Sequence, residues 1–121
     1  MGYPEPYGIE CGEGWRDIID RTHEKLKYLD PDYSILQIKE KFGGLRYYFD
    51  SSEYESVVYK IMHDVVGSAE REASYTCELC GAFGMMKGTV ETRVDNGLYY
   101  TYCKECSDKF MKKRREKWSG T

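Results

Sequence analysis

The chain has 121 residues, 18 basic and 21 acidic side chains, 40% hydrophobic residues and a formal net charge of −3. That length favours one domain or a small domain carrying an extra module, and no apolar run approaches the roughly 18 residues a membrane span needs. The charge is uneven: residues 1–103 hold 11 basic and 18 acidic side chains, whereas residues 104–121 hold 7 and 3. An acidic body with a basic tail suits contact with phosphates or docking to an oppositely charged protein.

Residues 1–12, rich in Pro, Gly and Tyr, read as an extended lead-in. No basic stretch followed by an apolar one opens the chain, so a signal peptide is not expected. Pro6 stands where a myristoylation motif needs Ser or Thr. Residues 13–29 have helical periodicity, with Trp15, Ile18, Ile19, Thr22, Leu26 and Leu29 on one face. Asp30-Pro31 ends that helix, because proline disfavours helical geometry in the residue before it.

Residues 34–41 read as a strand, with Leu36, Ile38 and Phe42 on one face and Gln37, Lys39 and Lys41 on the other. Gly43-Gly44 supplies the turn, and Leu45 to Phe49 returns with Leu45, Tyr47 and Phe49 opposite Arg46 and Tyr48. Ser52 and Glu55 have the spacing of a capping box. The helix they would open carries the stripe Val58, Ile61, Met62, Val65, Val66, Ala69 and Ala73.

The C-terminal third is organised by cysteines. Cys77-Glu-Leu-Cys80 is followed by twenty-two residues and then by Cys103-Lys-Glu-Cys106. Two such pairs read as one four-thiolate zinc site, each pair giving two ligands from one tight turn. Residues 77–81 form a knuckle, Met86 to Val94 is strand-like, Asp95-Asn96-Gly97 is a hairpin turn, and Leu98 to Tyr102 returns. Cys103 and Cys106 then open a helix that runs to about Trp118. Knuckle, hairpin and a helix bearing the last two ligands is the order of a treble-clef zinc finger. Four thiolates leave zinc no open position, so one structural zinc ion is expected. Iron is the rival metal for such a set.

Other chemistry is sparse. The sequences around His23 and His63 do not give the HxE segment of zinc deaminases, and no histidine follows His63 to serve a finger nuclease. Cys11, the odd fifth cysteine, reads as a small packed side chain. No grouping of acid, base and nucleophile is visible, so the chain is not expected to be an enzyme or to take a small-molecule substrate. Unpaired thiols and the lack of a leader point to the cytoplasm. Lys109, Lys112, Lys113, Arg114, Arg115 and Lys117 make the last helix basic, and twelve tyrosines favour an interface protein.

Three segments carry a likeness. Glu10-Cys11-Gly12-Glu13-Gly14-Trp15, Gln37-Ile38-Lys39-Glu40-Lys41-Phe42-Gly43-Gly44-Leu45-Arg46-Tyr47 and the two cysteine pairs resemble a group of short phage and prophage proteins. That group has a CGxGW start, a KEKFGGLR hairpin and a four-cysteine finger. The resemblance implies a phage origin and the cytoplasm of a bacterial host, and it transfers no catalytic residue. Small phage proteins of this kind often bind a host protein, including components of antiviral defence.

The expected fold class is therefore α+β. Residues 1–75 form a helix–hairpin–helix body, and residues 76–121 form a treble-clef-like module packed on it, against the second helix. The metal ligands are Cys77, Cys80, Cys103 and Cys106. The expected activity is non-enzymatic binding of a host macromolecule, as an inhibitor of host antiviral defence. The surface assigned to it combines Lys39, Lys41, Arg46 and Tyr48 with Tyr100, Lys112 and Arg115. The alternative is a nucleic-acid-binding finger that uses the same basic groups.

Overall fold

The computed structural model describes residues 8–119, with side chains through Glu116. The expectations for residues 1–7 and for the Lys117 side chain lie outside the described residues. In chain order the elements are β1 (Ile9–Glu10), a 3-10 turn (Glu13–Trp15), α1 (Arg16–Leu29), β2 (Ser34–Lys41), β3 (Gly44–Asp50) and α2 (Val57–Ala73). Then come β4 (Val90–Asp95), β5 (Leu98–Cys103) and α3 (Lys104–Ser119). The architecture is α+β, with the order helix, hairpin, helix, hairpin, helix and a C-terminal cysteine cluster arranged as in a treble clef.

The main core lies between α1, α2 and one face of a three-stranded sheet of order β1-β2-β3. Trp15, Ile18, Ile19 and Leu26 meet Met62, Val66, Ala69 and Ala73 of α2 over Ile38, Leu45 and Tyr47 of the sheet. This is the helical stripe that the sequence periodicity predicts, except that Ile61 of α2 is largely exposed. β1, which the sequence reads only as lead-in, pairs in parallel with β2 through Ile9–Ile38 and Glu10–Lys39.

Three local features differ from expectation. The strand alternation breaks at a bulge between Ile35 and Gln37, so Ile35 and Ile38 both face the core and Leu36 turns to solvent. One extra residue on β2 is what lets two isoleucines share a face three positions apart. The hairpin turn is Phe42-Gly43, one residue earlier than Gly43-Gly44. Both turn residues have positive φ, 54° and 81°, as a two-residue hairpin requires. Gly43 is needed twice over, because a Cβ there would also lie 2.7 Å from Thr92 Cγ2.

The third difference is at the start of α2. Ser52 and Glu55 form no capping box; Ser56 is the N-cap, and its hydroxyl accepts the Tyr59 N–H at 3.2 Å. Glu55 sits in a left-handed turn with φ 64°, and Ser52 donates its N–H to Asp30 Oδ2 at 3.2 Å. Asp30 is a buried hub. It also accepts the Ser51 hydroxyl at 2.6 Å and the Asp32 N–H at 3.0 Å. The end of α1 is thereby tied to the β3–α2 connection. These donors, the Ser51 hydroxyl foremost, hold the Asp30 carboxyl below its ordinary value.

Candidate metal centre

The first two ligands come from a knuckle closed by backbone bonds. Cys77 donates its N–H to the Ala82 carbonyl at 2.8 Å, and Gly81 donates to the Cys77 carbonyl at 2.9 Å. A β-bridge between Thr76 and Phe83 clamps its open end. The second two ligands flank the start of α3: Cys103 ends β5, and Cys106 lies in the first helical turn. Cys106 directs its N–H at Cys103 Sγ at 3.4 Å. β4 and β5 join the two halves through an Asn96-Gly97 turn in which both residues have positive φ.

All four sulfurs lie within 4.8 Å of one another, and Cys80 Sγ is 3.8 Å from Cys103 Sγ. A tetrahedron with Zn–S bonds of about 2.3 Å has S···S edges of about 3.8 Å, so the set fits one zinc ion. Burial opposes ionisation of Cys77, yet the backbone N–H groups of Cys80, Cys103 and Leu79 bring its thiol down to about 7. Burial and the neighbouring thiols push Cys106 up. Four thiols so close shed all their protons only against a dication. The ligand set is that of a single structural Zn2+, and it joins the knuckle, the hairpin and α3 into one zinc-finger module.

A saddle of body residues underlies the knuckle, and sequence reasoning missed it. Gly14 donates its N–H to the Glu78 carbonyl at 2.7 Å, and Gly12 donates to the Glu78 carboxylate at 2.8 Å. Trp15, wholly buried, donates its indole N–H to the Thr76 carbonyl at 2.8 Å. A Cβ on Gly14 would fall 2.1 Å from the Cys77 carbonyl oxygen, and one on Gly12 would fall 2.4 Å from that of Glu78. The glycines of Cys11-Gly12-Glu13-Gly14-Trp15 therefore allow backbone to lie on backbone. Cys11 is half-buried beside this saddle. Burial, with the charges of Glu78 and Glu13, pushes its thiol up to about 12, so it stays protonated.

A second seam joins the two hairpins. The Thr101 hydroxyl, fully buried, donates to the Gly43 carbonyl at 2.5 Å, and the Phe42 ring meets Tyr99 edge-on at 5.4 Å. The finger thus bonds to the 3-10 turn and to the β2–β3 tip, as well as to the end of α2, where the Thr76 hydroxyl donates to the Glu72 carbonyl at 2.8 Å.

The remaining surface residues divide. Lys39 and Arg46 are direct cross-strand partners, Tyr48 pairs with Gln37, and Lys41 continues the same side of β2. The four therefore share the sheet face turned away from the core, with Glu10 of β1 beside Lys39. Tyr100 does not belong with them. It is 5% exposed and packs on Tyr102 and Phe110, because α3 covers that face of the second hairpin. Lys112 and Arg115 are exposed on α3. Two other basic residues of α3 face internal acids: Lys109 bonds Glu105 at 3.3 Å, and Arg114 lies 2.8 Å from Asp95. No helix among the described residues is long and apolar enough to cross a membrane. The chain matches no protein-family model, no curated protein and no solved structure.

Proposed function

We propose that the chain is a non-enzymatic binding protein of phage type, which uses a zinc-stapled scaffold to occupy a surface of a host macromolecule. Inhibition of host antiviral defence in the bacterial cytoplasm is the role this reading favours. The observation that carries it is the cross-strand Lys39–Arg46 pair with Tyr48 and Lys41 on the solvent face of the β2–β3 hairpin. Lysine and arginine there are held by strand pairing, and an exposed tyrosine supplies rigid contact area at little entropic cost. The face ends at the exposed Phe42 ring, with the Lys41 ammonium 5.7 Å from its centre and Tyr99 against its edge. Charge on the rim with an aromatic contact at the end suits an acidic protein surface.

The test is a pull-down from host lysate with zinc-loaded chain, in nuclease-treated and untreated halves. A stoichiometric protein that survives nuclease and is lost with K39E/R46E supports the reading. Capture that K39E/R46E leaves intact sinks it. A nucleic-acid reading is favoured by one observation, the exposed Lys112, Lys113 and Arg115 on α3. It requires capture to vanish with nuclease and affinity to fall steeply with salt.

A further inference from the structure

The outer edge of the main sheet carries a second surface. β3 ends the order β1-β2-β3, and among the described residues no strand pairs on its far side. Its two-residue turn sets the hydrogen-bond phase. Gly44, Arg46 and Tyr48 point their backbone groups at β2, so those of Tyr47 point outward. The group that meets the Tyr47 N–H is a side chain, the Glu70 carboxylate of α2, at 3.0 Å. A carboxylate on a surface helix can swing aside in a way that a neighbouring strand cannot.

Beside that edge runs a groove of about 290 Å³ between β3 and α2, lined by Tyr47, Tyr48 and Phe49 of the strand and by His63, Val66, Gly67 and Glu70 of the helix. Gly67 is the unexpected member. It lies in the middle of a seventeen-residue helix, exposed, and a Cβ there would meet nothing within 4 Å. Neither close packing nor backbone conformation asks for glycine at this position, and it weakens the helix. Its effect is to leave the helix wall of the groove bare opposite the strand edge.

We propose that the outer edge of β3 takes up an extended segment of a partner polypeptide as a fourth strand, laid in the groove between β3 and α2. Main-chain bonds to the β3 edge supply register, as in other strand-addition complexes. Val66 and Phe49 floor a position for an apolar side chain. Glu70, displaced from the Tyr47 N–H by the incoming carbonyl, meets a cationic side chain of the segment. The inference rests on reading the chain as a binding protein; its groove touches the Lys39–Arg46 face at Tyr48 but does not use Lys39, Lys41 or Arg46.

A displayed library of random linear peptides, panned on the zinc-loaded full chain, tests it. Enriched peptides should be extended, apolar and cationic, and should slow amide exchange across Leu45–Phe49. G67L should weaken them about tenfold or more while its Tm stays level or rises, since leucine is the better helix former. K39E/R46E should leave them bound, so failure here is distinct from failure of the proposed function. Unchanged affinity on G67L, protection confined to another face, or no enriched peptide overturns the proposal. Competition by an oligonucleotide, or a concentration-dependent dimer that G67L abolishes, overturns it in favour of nucleic acid or a second copy.

Discussion

The indole N–H of Trp15 donates to the carbonyl of Thr76 at 2.8 Å, linking the largest fully buried side chain of the body to the residue just before the first zinc ligand. Trp15→Phe keeps an aromatic ring but leaves that carbonyl without its donor. An unsatisfied buried acceptor costs about 1–3 kcal/mol. Urea unfolding followed by far-UV circular dichroism should show that loss, and a chelator competition should show weaker zinc binding. Wild-type values for both would mean that the bond contributes nothing.

Gly14→Ala should be damaging in a way that Gly8→Ala is not. A Cβ at Gly14 meets the Cys77 carbonyl at 2.1 Å, whereas one at Gly8 meets nothing within 4 Å. Overpacking of this kind costs about 1–3 kcal/mol. Thermal melts of the two variants side by side decide it; equal midpoints would show that the saddle yields freely.

Chelation of the zinc should reach beyond the cysteines. Metal binding is part of the folding free energy of such modules. The Gly14 N–H is held by Glu78 of the knuckle, so its amide exchange should speed up when metal is removed. Hydrogen exchange with and without chelator measures this, and protection loss that stops at Thr76 would refute it.

Acid should act through Asp30. Its folded carboxyl lies below the ordinary value of 3.8, so the stabilisation is complete above that pH and is lost as pH falls through the lower folded value. Asp30→Asn should therefore be less stable than wild type near neutrality, and the gap should close on the acid side. A gap that stays constant from neutral to strongly acidic pH would exclude the carboxylate as its source.

The K39E/R46E variant should leave the fold untouched while abolishing capture of a partner. Both residues are half-buried on the sheet face turned away from the core, outside the packed interior, where substitutions shift stability by only about 0.5 kcal/mol. Zinc content and melting temperature check the first half, and the nuclease-treated pull-down checks the second.

Much of this was legible in the chain because it is local. The four ligands follow from spacing, α1 and α2 from apolar periodicity, and the Asn96-Gly97 turn from residue type. What was not legible depends on contacts distant in sequence. β1 is two residues long and exists only because β2 lies beside it. The bulge at Leu36 is set by which isoleucines the helices cover. Strand alternation puts Tyr100 and Tyr102 on one side of β5, but only α3 decides that Tyr100 is buried. The N-cap falls at Ser56 and not at Ser52, because Ser52 is claimed by Asp30, twenty-two positions away. The paired glycines before Trp15 were the one available signal for the saddle. They mark a close backbone approach without naming what approaches.

That saddle bears on how portable the finger is. A segment cut at residue 76 would carry all four thiols and could still hold a metal. It would leave behind Gly12, Gly14 and Trp15, which hold the knuckle from below, and Gly43, which receives Thr101. Grafted onto another protein, it would bring the ion but not the floor that fixes the knuckle's orientation. Swapping fingers between related chains should therefore succeed only when the Cys11-Gly12-Glu13-Gly14-Trp15 segment travels with the cysteines.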